Sequence, residues 1–126
     1  MRADLDLLRP TGGWENYISG VLAELLKRSG KLEGFDVDFK SDIPPGAGLS
    51  SSAALECGLA FGLNLLFELG LSPLELIRLS QEAEHHFVGT QCGIMDQFAW
   101  VMGRKNHFIL LDCRDLHHRY IPADLG

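Results

Sequence analysis

Basic charge is scarce in this chain: 11 lysines and arginines face 17 aspartates and glutamates, for a net charge of −6 at pH 7 and a pI near 5.2. No basic stripe is on hand to track a nucleic-acid backbone or an anionic membrane surface, and neither partner is expected. Long apolar runs are missing too. Stretches such as Leu59 to Leu66 fall well short of the roughly 20 residues of a membrane span, and the N-terminus has no basic-plus-apolar signal pattern, so a cytoplasmic location is expected. Cysteine is sparse: Cys57, Cys92 and Cys113 are odd in number, far apart and outside any C-x-x-C arrangement, which argues against a disulfide framework or a zinc site. They are read as reduced thiols. No internal repeat or low-complexity tract is found. What remains is 126 residues, 46% hydrophobic and 22% charged, the composition of one soluble globular domain with a core.

The chain is organised around residues 44–54, Pro44-Pro45-Gly46-Ala47-Gly48-Leu49-Ser50-Ser51-Ser52-Ala53-Ala54, which join a strand-like run to an apolar helix-like run. Gly46 and Gly48 permit backbone conformations that a β-carbon blocks. A helix starting near Ser50 or Ser51 offers unpaired N–H groups and a positive dipole end, so an anion fits at this junction. The lysine of the G-x-x-x-x-G-K-[ST] phosphate loop and the spaced glycines of a dinucleotide fingerprint are both absent; neutral hydroxyls stand in their place. A glycine turn followed by serine helix caps explains the same residues without any ligand.

Around this loop the elements follow from periodicity and caps. Trp14, Tyr17, Ile18, Val21, Leu22, Leu25 and Leu26 recur at helical spacing, with Lys27, Arg28 and then Gly30 marking a C-terminus. Trp14 at the head of that stripe would ordinarily anchor the first turn in the core. Phe35, Val37 and Phe39 alternate with polar residues and predict a strand over Phe35–Lys40. Ala53 to Leu69 is apolar on nearly every face, with Glu56, Asn64 and Glu68 the polar exceptions; it predicts a buried helix stopped by Gly70. Ser72-Pro73-Leu74-Glu75 combines a cap serine, a first-turn proline and a glutamate three residues on, with Leu71 and Leu76 placed as a staple, and predicts a helix over Pro73–Phe87. A short helix through Asp96 to Met102 and a strand His107–Leu111 complete the reading, and Asp112 onward turns polar.

Two groups of residues carry chemistry of their own. Glu82, Glu84, His85 and His86 crowd the end of the third helix, where acidic side chains oppose the dipole. They invite a cation, or stand solvated at the surface. His85 and His86 lack the i, i+4 spacing of a two-histidine metal site. Asp96 lies among Ile94, Met95, Phe98 and Trp100, where a carboxylate is costly unless paired or set in a cleft; it is either a catalytic group or a helix cap or ion-pair member.

In its order of residues, the serine loop resembles the phosphate-binding motif of the GHMP small-molecule kinases. Gln81-Glu82-Ala83-Glu84-His85 and Cys92-Gly93-Ile94-Met95-Asp96-Gln97 resemble the two segments that mark galactokinases within that superfamily, and Trp14-Glu15-Asn16-Tyr17 resembles their W-x-N-Y segment. The likeness runs from about Trp14 to Leu111. It implies an α+β fold in which a mixed β-sheet packs with helices, here as a single partial domain over residues 1–126. It also implies ATP-dependent phosphorylation of galactose at its C1 hydroxyl. Pro45, Gly46, Ala47, Gly48, Leu49, Ser50, Ser51 and Ser52 would then bind the phosphates of ATP, and Trp14 would lie by the base. Ser52, or its neighbour Ser51, and Glu84 would hold Mg2+. Asp96 would serve as general base toward the sugar, with a backbone contact from Gly93. An upstream G-E-H-x-D-Y segment with its arginine, and a downstream glycine-rich motif, have no counterpart, so negligible turnover is expected of this chain alone. Exposed sheet edges would leave self-association open. Alternatives are another GHMP sugar kinase, such as an N-acetylgalactosamine kinase, or a non-catalytic nucleotide- or protein-binding module.

Overall fold

The computed structural model of the chain describes residues 4–30, 32–44 and 46–124. Helix α1, Glu15–Ser29, forms on the apolar stripe expected of it and stops at Gly30, whose φ of 62° lets its N–H reach back 2.9 Å to the Leu26 carbonyl. Helix α2, Ser51–Leu66, follows the serine loop. The asparagine near its end is put to use: Asn64 bonds both the N–H and the C=O of Leu71, at 2.9 and 3.0 Å, and so fixes the turn into α3, Pro73–Ala83. The capping box forms as its sequence requires, with the Glu75 N–H donating to Ser72 Oγ and Glu75 Oε2 accepting from the Ser72 N–H at 2.8 Å.

Ile18, Val21, Leu22 and Leu25 of α1 interlock with Leu59, Ala60 and Leu63 of α2 and with Leu76, Leu79 and Ala83 of α3. Leu71 packs against this core, as the staple requires. The approach of α1 to α3 is close at Gly20, where a β-carbon would stand 3.0 Å from those of Ala83 and Phe87. A second, smaller core gathers Ile77, Phe98 and Leu116, with Ile109 and Leu111 against it. It seats helix α4, Met95–Met102, on the hairpin of β1, His107–Leu111, and β2, His118–Pro122. The strands pair antiparallel, Ile109 opposite Tyr120, and Tyr120 Oη donates to the Met102 carbonyl at 2.7 Å. The α+β class is the one expected; among the described residues the sheet is this antiparallel pair. None of the described helices is long and apolar enough to cross a membrane.

Three expectations are corrected. Phe35–Lys40 does not form a strand: among the described residues no segment pairs with its backbone, and alternation supplies a face but no ladder. Val37 and Phe39 are exposed, while Phe35 packs edge-on to Phe67 at 6.1 Å. Helix α2 ends at Leu66 rather than Leu69, because Glu68 turns left-handed at φ 50° before Gly70 does. The α-ladder of α3 gives way at Ala83 to one π-helical turn, Glu84–Val88, closed by the Gly89 N–H on the Glu84 carbonyl at 2.8 Å.

Candidate active site

The serine loop has the backbone its glycines foretold. Gly46 and Gly48 lie at φ 70° and 72°, Ser50 at 52°, and Ala47 and Leu49 between them are not left-handed. This alternation of φ sign is the kind from which anion-binding nests of N–H groups are built. Pro45 lies outside the described residues. Ser50 is the residue before α2, but it does not cap the helix. Its hydroxyl instead donates to Asp96 Oδ2 at 2.7 Å, across 46 residues of sequence. The left-handed conformation costs a serine on the order of 1–2 kcal/mol, which contacts elsewhere must offset. Serine capping, the ligand-free account of this stretch, is thus not what the structure shows at Ser50.

Asp96 sits in the first turn of α4, where the dipole favours a carboxylate. The segment that carries it is tied to α3 and the π turn at one atom. Gln81 Nε2 and His85 Nε2 both reach the Cys92 carbonyl, at 3.2 and 2.9 Å, so His85 carries its proton on Nε2. The spacing Gln81 to His85 is one helical turn, which is why both side chains arrive at the same oxygen. Gly93 follows in the exposed loop, with open space around its Cα.

Glu84 heads the π turn and is buried, at 6% exposure. Beside it is Glu56, wholly buried on α2, with neither carboxyl oxygen hydrogen-bonded within the described residues. Burial, and then the Glu84 charge, push the Glu56 carboxyl up to about 9. The Tyr17 hydroxyl is raised by burial and then by Glu84 and Glu56, and the Cys92 thiol by burial and then by Glu84, to about 11. Neither glutamate joins an ion pair among the described residues. Two neighbouring polar side chains have partners elsewhere: Glu82 meets Arg28 at 2.6 Å and His86 Nδ1 lies 2.9 Å from Glu24 Oε1. Glu56 is one helical turn beyond Ser52, so the two share a face of α2. Among the described residues no three His, Cys, Asp or Glu side chains converge to hold a metal unaided.

A cavity of about 1130 Å³ opens between α2, α3 and residues 40–43. Trp14, Tyr17, Ser51, Ser52 and Trp100 are among its walls. Trp14 is 58% exposed, so it does not anchor the core and its ring is free to meet a ligand. The structure therefore brings Trp14, Ser51 and Ser52 to one cavity, and Ser50 to Asp96. Glu84, Gly93 and Asp96 do not line that cavity. Glu56 and Trp100 were not singled out as site residues by the sequence. A lone acid on an apolar helix, four residues after Ser52, was the signal available for Glu56.

A glycine-rich loop with its φ signs alternating, a helix N-terminus behind it and a carboxylate hydrogen-bonded to its last residue form an arrangement that can accept an anion beside a carboxylate. Residues 16–104 match the family described as GHMP kinases N terminal domain, and the chain belongs to that family. Its relatives include galactokinases. The one from Clostridium tetani is 51% identical over 115 residues, 90% of this chain and 29% of its own length. The one from Thermosipho africanus is 44% identical over 121 residues, 96% of this chain and 34% of its own length. A crystal structure of Lactococcus lactis galactokinase complexed with galactose superposes with a TM-score of 0.81 at 34% identity, covering 100% of this chain and 33% of that one. The chain thus spans about a third of the length of the relatives it matches.

Proposed function

We propose that this chain carries the phosphate-binding and hydroxyl-orienting part of a galactokinase, which transfers the γ-phosphoryl group of ATP to the C1 hydroxyl of galactose. The observation that carries the reading is the 2.7 Å hydrogen bond between Ser50 and Asp96, which sets a carboxylate against a loop suited to phosphate. Phosphoryl transfer depends mainly on such placement. In this reading Asp96 orients the C1 hydroxyl and takes its proton as the oxygen attacks the γ-phosphorus. The bond from that phosphorus to the bridging oxygen breaks, leaving galactose 1-phosphate and ADP. Gly46 to Ser52 hold the phosphates through backbone N–H groups and hydroxyls, Trp14 covers the base, and Gly93 offers a backbone contact to the sugar.

Ser52 and Glu84 would hold Mg2+. Their oxygens are the hard donors this ion prefers, Glu84 is buried with a second carboxyl beside it and no basic partner among the described residues, and a magnesium ion completes its shell with water and phosphate oxygens. When bound, the ion neutralises charge on the triphosphate.

Calorimetry of ATP–Mg2+ binding to this chain tests the proposal, alongside Ser51→Ala, Glu84→Gln and a magnesium-free control. Magnesium-dependent binding that both substitutions weaken is the expected result. A folded chain that binds no nucleotide would overturn it.

A further inference from the structure

Asp96 and Trp100 stand one turn apart on α4, and both grip Ser50. Asp96 Oδ2 accepts the Ser50 hydroxyl at 2.7 Å, and the Trp100 indole N–H donates to the Ser50 carbonyl oxygen at 3.1 Å. That same carbonyl accepts the Ala54 N–H at 3.0 Å, so its direction is fixed from two sides. The residue held in this way is left-handed, at φ 52° and ψ 51°, a conformation that serine leaves readily when nothing restrains it.

We propose that α4 clamps the serine loop through Ser50, with Trp100 as the positioning residue, so that one residue sets both the phosphate-binding conformation of the loop and the place of the Asp96 carboxylate. The inference rests on the phosphate-site reading above and deepens it. Were Ser50 released, it would relax toward right-handed or extended backbone and turn the N–H groups that follow it. Phosphate affinity would then fall in proportion to the fraction of chains that still hold the competent loop. The clamp also commits one oxygen of Asp96. Among the described residues its Oδ1 accepts no hydrogen bond, which leaves that oxygen to face a substrate hydroxyl.

Trp100→Phe removes the indole N–H together with the five-membered ring, and because Trp100 also walls the cavity, inorganic tripolyphosphate, which has no base to meet that ring, separates the clamp from a lost ring contact. Ser50 itself belongs to the proposed phosphate site, so its own substitutions would mix contact with conformation. The probes are ATP–Mg2+ and inorganic tripolyphosphate, titrated into the 126-residue chain by calorimetry. A carbon-13 spectrum of the Asp96 carboxyl and a nitrogen-15 spectrum confirming the fold accompany the titrations. Loss of one neutral hydrogen bond predicts weaker binding of both probes to Trp100→Phe, by up to about fivefold. It also predicts a shifted Asp96 carboxyl resonance. Equal affinity in the two proteins, or an unmoved Asp96 resonance, would overturn the clamp while leaving the phosphate site standing. Failure of the unsubstituted chain to bind either probe would instead remove the phosphate-site reading and the clamp's purpose with it.

Discussion

Glu56 should make this protein less stable as the pH rises toward neutrality, and Glu56→Gln should relieve the effect. The carboxyl is wholly buried, neither oxygen has a hydrogen-bond partner among the described residues, and its pKa moves from 4.5 to about 9. Between those two values the folded chain keeps the proton that the unfolded chain gives up. The unfolded state therefore binds fewer protons, and stability declines with pH across the window. At 1.36 kcal/mol for each unit of separation, ionisation of the unfolded state costs the fold about 1 kcal/mol at pH 5 and about 3 kcal/mol at pH 7. An amide of nearly the same shape carries no such cost, and any constant difference in packing cancels between the two pH values. Urea unfolding of both proteins in chelator-treated buffer should show Glu56→Gln gaining about 2 kcal/mol more over the parent at pH 7 than at pH 5. An identical difference at both pH values would refute the reasoning, for it would mean that Glu56 is already ionised in the folded protein.

Glu24 runs the other way: burial works against its charge, but hydrogen bonds and charges from Lys27 and His86 outweigh it and hold the carboxyl below its ordinary 4.5. Its contribution is therefore present above that value and lost as pH falls through the folded pKa; Glu24→Gln should cost about 1–2 kcal/mol at pH 7 and progressively less as the pH is lowered below 4.5, measured by the same urea titration. Gly20→Val should destabilise by about 1–3 kcal/mol, since even a β-carbon there meets Ala83 and Phe87 at 3.0 Å; a wild-type thermal midpoint would contradict the close approach of α1 to α3. Asn16→Ala should cost about 1–3 kcal/mol, because Asn16 accepts from the Thr11 N–H at 2.8 Å and donates to the Phe87 carbonyl at 2.9 Å; faster amide exchange at Thr11 would locate the loss.

What the sequence disclosed and what it withheld divide by the range of the interactions concerned. The capping box at Ser72 and the left-handed stop at Gly30 are settled within a few residues, and both formed as read. The strand expected at Phe35–Lys40 needed a backbone partner that periodicity cannot supply. The converse holds for β2: His118–Pro122 shows no apolar run in the sequence, yet it pairs along β1 and carries Tyr120 to the end of α4. Ser50 makes the point most sharply. Its neighbours argue for a helix cap, and the structure spends its hydroxyl on a residue 46 positions away. Local preference was overruled there by two bonds from α4, and a local rule is most often broken where a site needs it broken. Glu56 belongs with Ser50 in this respect. A buried carboxyl with no hydrogen-bond partner among the described residues weakens the fold, and it lies one turn beyond Ser52 and beside Glu84, the two residues proposed to hold magnesium. Departure from local preference at Ser50, inside the serine loop, and departure from good burial at Glu56, one turn beyond its last serine, thus fall together at that loop, which is the distribution expected if the loop, rather than the three-helix core, is what the chain's function depends on.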